Sequence, residues 1–235
     1  MSRTSSLWQP PEPLYYWPDR KQNMLIRGFH DGSHSPYDEQ IGITCSSVAT
    51  CSPCASFEDL RHRQELSETK LRDHCGGRDA SSCFISAADD PMWLRSQRTS
   101  IWPPMRSTRL RFAFIRTDVL SRLGILYDRS DRLVKDIGAV PWSKAHPDGI
   151  PYVHNAHWLI YGWIPSQAIH AIVELSDFLR ACDAVEPATG TVYGKKLQTF
   201  EIFANGCTVS VFHHRPEDIL AQMELDHVTN GVAEL

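Results

Sequence analysis

Several features that would send a chain into or across a membrane are missing. No apolar run approaches the roughly 18 residues needed to span a bilayer. The first residues, Met1 to Pro13, hold no apolar core between a basic start and a small-residue cleavage site, so no secretory leader is expected. Both absences lead to the expectation of a cytoplasmic protein with no membrane partner. No internal repeat is visible, which excludes a solenoid or propeller. Lysine is scarce, six residues against eighteen arginines.

Cysteine is present but in an odd set: positions 45, 51, 54, 75, 83, 182 and 207. Without a leader, reduced thiols are expected rather than a disulfide framework. Cys51 and Cys54 form one CxxC, and His74–Cys75 would have to complete a zinc site. A second pair at matching spacing is lacking, so no metal is assigned, and no cofactor is expected.

With 42% hydrophobic and 22% charged residues, the chain can build a core and does not read as disordered. Its 235 residues suit a single domain over 24–235. Residues 1–23, rich in proline and aromatics, read as an irregular arm.

Met24 to Phe29, Cys83 to Ala87, Leu110 to Arg116, His157 to Trp163 and Ile169 to Leu175 have strand patterns. Gly32 to Ser56 reads as a long loop. Ser56 with Asp59 caps a helix expected to run to His74 and stop at Gly76–Gly77. Asp90–Pro91 opens a short helix, Asp118 to Leu123 forms a helical turn closed by Gly124, and Ser176 is expected to cap a helix over 177–182. Asn205-Gly206 between Leu197–Phe203 and Cys207–His213 is a hairpin signal. Pro216-Glu217-Asp218 opens a last helix. The segment 128–153 has no clear pattern. Strands between early and late helices, without βαβ units, give an α+β class.

Charge is uneven around a net −4. Between Pro91 and Thr117 there are six arginines, Trp93 and Trp102, and no acidic residue. Guanidinium groups pair with phosphates and stack on bases, so this stretch is a candidate nucleic-acid footprint.

Three segments in order carry a resemblance. Leu25-Ile26-Arg27-Gly28-Phe29 is an apolar strand with an arginine. Cys83-Phe84-Ile85-Ser86-Ala87-Ala88 is a Phe-X-Ser strand. Asn155-Ala156-His157-Trp158-Leu159-Ile160-Tyr161-Gly162-Trp163-Ile164-Pro165 is a strand running into an Ile-Pro turn. Over residues 24 to 175 this layout resembles ADP-ribosyltransferases of the cholera-toxin and pierisin type. It also resembles the small fungal arginine-containing cyclodipeptide synthases. The resemblance implies an ADP-ribosyltransferase-like fold: a central, mostly antiparallel, split sheet flanked by helices.

Counted back from Ile164-Pro165, the transferases' catalytic glutamate falls on His157 and its partner on Asn155. Imidazole cannot supply the negative charge that NAD chemistry requires. Histidine suits a general base with a pKa near 6.5 instead. The resemblance to the cyclodipeptide synthases then implies a tRNA-dependent synthase forming an arginine-containing cyclodipeptide from arginyl-tRNA and a second aminoacyl-tRNA. His157 would be the base, with Arg27 and Ser86 as oxyanion donors. Asp89, Asp90 and Glu174 would receive the arginine substrate, with Asn155 and Trp158 as further substrate contacts. Arg95, Arg98, Arg106, Arg109 and Arg111 would hold tRNA phosphates. The alternatives are an NAD-dependent ADP-ribosyltransferase or glycohydrolase using Glu174 or Glu201, and a binding module without chemistry.

Overall fold

The alternation of apolar residues read from the sequence reappears as strands buried on both faces. The structure is a computed structural model describing residues 24–48, 51, 54–77, 81–97, 109–184, 186–192, 195–204 and 207–212. The first half runs β1 (Met24–Phe29), β2 (Tyr37–Asp38), β3 (Gly42–Thr44), α1 (Phe57–His62), α2 (Glu68–Cys75), β4 (Phe84–Ala88) and α3 (Pro91–Ser96). It continues with β5 (Arg111–Arg116), α4 (Thr117–Arg122), β6 (Tyr127–Arg129) and α5 (Ser130–Asp136). The rest comprises β7 (His157–Tyr161), β8 (Trp163–Pro165), β9 (Ile169–Glu174), α6 (Leu175–Asp183), β10 (Glu186–Val192), β11 (Lys195–Ala204) and β12 (Cys207–Phe212).

Six strands form one antiparallel sheet in the order β6-β7-β4-β1-β5-β9. The class is α+β, with helices against the sheet. Because side chains alternate along a strand, β1 sends Ile26 to one core cluster and Leu25 and Phe29 to another. β5 divides likewise, Phe112 and Phe114 against Ala113 and Ile115. The first cluster closes over α3 and α6 through Leu94 and Phe178, whose ring stacks on Phe112 at 3.9 Å between centroids. A third cluster joins Leu60, Leu71, Leu133 and Val134 from α1, α2 and α5 to Leu159 and Tyr161 of β7. Two three-stranded sheets, β2-β3-β8 and β10-β11-β12, complete the described residues.

The long loop 32–56 holds β2 and β3. Gly42 lets β3 close on β8, since a Cβ there would meet the Ile164 carbonyl at 2.1 Å. The expected helix 56–74 is broken. Ser56 caps α1 by accepting from the Asp59 amide, but α1 ends at His62 and Gln64 turns left-handed (φ 59°). Ser67 then starts α2 by accepting from the Lys70 amide. Ser176 does not cap α6, which begins at Leu175 behind Glu174 with no side-chain cap. The unplaced segment 128–153 contains α5 and part of β6. β11 and β12 pair antiparallel out to Ala204–Cys207, while the expected turn Asn205-Gly206 lies outside the described residues. The helix expected from Pro216 lies outside the described residues.

Candidate active site

β1 and β4 pair at Ile26–Ala88, and a cavity of about 490 Å³ lies beside that pair, walled by Arg27 and Gly28 of β1 and by Phe84, Ser86 and Ala87 of β4. His74 from the last turn of α2 and His157 from the start of β7 complete this wall. The place of His157 follows from the sheet order, because β7, β4 and β1 are neighbours, whereas His74 is brought in by α2.

The Ser86 hydroxyl sits between two imidazoles. His74 Nε2 lies 2.9 Å from Ser86 Oγ, and His157 Nε2 lies 3.0 Å from it. A hydroxyl has one proton and two lone pairs, so it can donate to one ring while accepting from the other. This pairing of hydroxyl and base is what an activated nucleophile needs.

Arg27 Nη1 donates to the Ser86 carbonyl at 2.7 Å. Its Nε is buried without a hydrogen-bond partner. The head is embedded in protein, while part of the residue borders the cavity. Burial lowers its pKa to about 10, which leaves it protonated at neutral pH. Among the described residues, no aspartate or glutamate lines the cavity. A buried cation without a carboxylate is costly, and an anion or oxyanion entering the cavity would offset that cost.

His157 departs from the sequence expectation. Burial drives its pKa down to about 4 rather than leaving it near 6.5. His154 adds to the fall, and the Tyr152 backbone opposes it. Nδ1 is buried and makes no hydrogen bond of acceptable geometry. Trp93 stacks on His157 (5.9 Å, 25°) and on His154 (5.2 Å, 9°), sealing this side from water. The ring is therefore neutral at physiological pH. It can accept from a hydroxyl but is a poor base for an ammonium.

A family model for a domain of unknown function, DUF7587, matches residues 20–178. The chain belongs to the DUF7587 family. No curated protein and no solved structure matches it. The DUF7587 match covers every strand of the six-stranded sheet and every residue lining the cavity.

Within the DUF7587 domain, the structure brings together Arg27, Ser86 and His157 and leaves the expected substrate contacts elsewhere. Asp89 is buried and accepts from Trp158 Nε1 at 2.8 Å. Asp90 caps α3, accepting from the amides of Met92 and Trp93 at 2.8 and 3.0 Å. Glu174 takes the guanidinium of Arg109 at the far edge strand. Trp158 packs in the core against Tyr127, and neither it nor Asn155 lines the cavity.

The arginine stretch is also different in space. Arg95 pairs with Asp183 at 2.6 Å and Arg111 with Asp31 at 2.9 Å, where it also covers the Phe29 ring. Arg98 and Arg106 lie outside the described residues.

His74 was visible in the sequence only as a possible metal ligand. Cys51 instead sits against Cys45, Sγ to Sγ 3.4 Å, and Cys54 donates to the Ser56 carbonyl. Among the described residues, no group of three or more His, Cys, Asp or Glu could hold a metal ion. The available signal for His74 was its place one residue before buried Cys75, at the end of a capped helix.

Proposed function

We propose that this domain is an aminoacyl transferase that takes an aminoacyl group from tRNA onto Ser86 and passes it on to form an arginine-containing cyclodipeptide. The observation that carries the proposal is a Ser86 hydroxyl held between two imidazole Nε2 atoms on a cavity wall. Ser86 Oγ attacks the ester carbonyl, and its proton passes to an imidazole Nε2. The ester C–O bond breaks, and the ribose hydroxyl leaves with that proton. The amine of a second aminoacyl-tRNA then attacks the Ser86 ester and forms a dipeptidyl ester, with Ser86 released. The free amine of that ester closes the ring and frees the second tRNA. The Arg27 cation beside Ser86 stabilises the oxyanion formed at each addition.

Ser86 thus changes role from the oxyanion donor suggested by sequence to nucleophile. The weak basicity of His157 makes it a poor proton acceptor, so its contribution is to hold the Ser86 hydroxyl in place, with His74 Nε2 the second imidazole within reach of that proton. Kinship with ADP-ribosyltransferases belongs to the same proposal, supported by Arg27, Ser86 and His157 standing on the adjacent strands β1, β4 and β7. The carboxylates expected to receive arginine are engaged elsewhere, so the cavity supports acyl transfer and not its arginine preference. Aminoacyl-tRNA implies a cytoplasmic site of action, and among the described residues no helix is long and apolar enough to cross a membrane.

An NAD-consuming reading has one supporting observation, the buried Arg27 cation facing the cavity. Against it, Glu174 is at the opposite edge of the sheet and cannot replace the missing carboxylate. Expression in a bacterial host separates the two. Arginine diketopiperazines in the medium and an aminoacyl ester on Ser86 by intact-protein mass spectrometry are expected. NAD depletion with neither of these would overturn the proposal.

A further inference from the structure

A second cavity of about 620 Å³ adjoins the first and contains two exposed aromatic rings. Trp142 is 56% exposed and Tyr152 is 43% exposed. Tyr152 lines both cavities, and the end of α2 borders both, Cys75 and Gly77 on one side and Gly76 on the other.

The segment bearing these rings is built rigidly. Trp142 N donates to the Ile150 carbonyl at 2.8 Å, and Ile150 N donates to Val140 at 2.9 Å, pinching the chain together. Gly149 is required there, since a Cβ would meet the Pro141 carbonyl at 2.5 Å. Ile150 is fully buried with Leu133 and Val134, and Arg72 of α2 clamps the Asp148 carbonyl at 2.6 Å. Tyr152 has a left-handed backbone, φ 54°, that a bulky residue rarely adopts. A tyrosine kept in a conformation suited to glycine marks a side chain with a task.

Exposed aromatics on a fixed loop, beside a cavity of nucleotide size, form a stacking surface for an unpaired base. The shared wall sets the occupant. A base on this loop would place its own ribose at Tyr152 and an acyl group on that ribose in the Ser86 cavity. We propose that Trp142 and Tyr152 receive the single-stranded 3′ end of the RNA that delivers the acyl group. This inference rests on the proposed acyl transfer and adds the group that aligns the RNA.

The test uses the full chain and an uncharged RNA minihelix with a single-stranded CCA 3′ end, its binding read by fluorescence anisotropy. Removal of the overhang is expected to weaken binding roughly tenfold or more, since stacking is worth about 1–3 kcal/mol per base. Trp142→Ala and Tyr152→Gly are each expected to produce a comparable loss for the overhang RNA and none for the blunt one. Tyr152→Gly removes the ring while suiting the left-handed backbone, so misfolding does not mimic the effect. Equal binding of overhang and blunt RNA, unchanged binding by both variants, or binding of AMP as tight as that of the overhang RNA would overturn the inference. If the inference fails, Ser86 acylation can still be seen by mass spectrometry. If acyl transfer fails, overhang-dependent binding can still stand.

Discussion

The cavity wall and the arginine-rich edge handle positive charge in opposite ways. At the edge strand Arg109 is matched by Glu174, and near it in sequence Arg95 of α3 and Arg111 of β5 are matched by Asp183 and Asp31. In the cavity wall, Arg27 is embedded beside Ser86, which the two histidines hold, and among the described residues no carboxylate lines the space. Pairing governs ionisation at the edge, where Glu174 raises the pKa of Arg109. Burial governs it in the wall, where Arg27 and His157 are both pushed towards their neutral forms. Surface pairs lose little by being solvated, so they do not demand a ligand. A buried cation without a counter-charge favours one. The difference directs the search for chemistry to the interior, away from the stretch that looks most basic in the sequence.

The sharpest way to break this contrast is to remove the hydroxyl it centres on. Ser86→Ala deletes two hydrogen bonds but keeps the backbone carbonyl that receives Arg27, so folding should survive. Cyclodipeptide formation is expected to fall by a factor on the order of 10²–10⁴, as for loss of a nucleophile or its base. His157→Ala should fall similarly, and His157→Glu should not restore it. New NAD turnover in the His157→Glu protein would instead support transferase ancestry with a surviving NAD pocket. Circular dichroism on each variant checks that the fold is intact. Full product formation by folded Ser86→Ala would remove Ser86 from the mechanism.

The next effect concerns acid. An unfolded chain protonates His157 near 6.5, whereas the folded one does so at about 4. Between those values the unfolded state binds more protons, so lowering the pH favours unfolding. The stabilisation is full above about pH 6.5 and disappears as pH falls to about 4, amounting to about 3 kcal/mol. Urea unfolding at pH 7.5, 5 and 4 should show this component in the wild type and not in His157→Gln. Identical pH dependence in the two proteins would mean that burial does not set the state of this ring.

Much of the sheet was legible because period-two alternation and cap residues act locally. β1 and β5 could be read from their own residues, and the Ser56 and Asp90 caps sit where the sequence suggested. The ordering of Arg27, Ser86 and His157 along the chain also proved to be a spatial grouping. Three features were not legible. The break between α1 and α2 depends on the left-handed Gln64 and on Ser67, a second cap within a stretch that also fits continuous helix. His74 bonds Ser86 twelve residues away only because α2 packs beside β4. The partners of the arginines are contributed by sequence-distant Asp31, Glu174 and Asp183, which a local charge count cannot see.

That last point yields the smallest expected effect and a direct check on the edge. An arginine already matched by a carboxylate neutralises little extra phosphate charge unless the carboxylate moves away, so it contributes little counterion release. An arginine gripping a phosphate steepens the salt dependence of binding by about 0.9 per contact for duplex nucleic acid. Replacing Arg95 and Arg111 by glutamine removes both cations without introducing new repulsion towards Asp183 and Asp31. Minihelix affinity should change by no more than about twofold, the range expected for weak surface electrostatics. The slope of log affinity against log salt should remain that of the wild type. A slope shallower by nearly two, with a large loss of affinity at low salt, would show both arginines on phosphates. The edge would then be an RNA surface despite its carboxylates, and the contrast with the cavity wall would no longer hold.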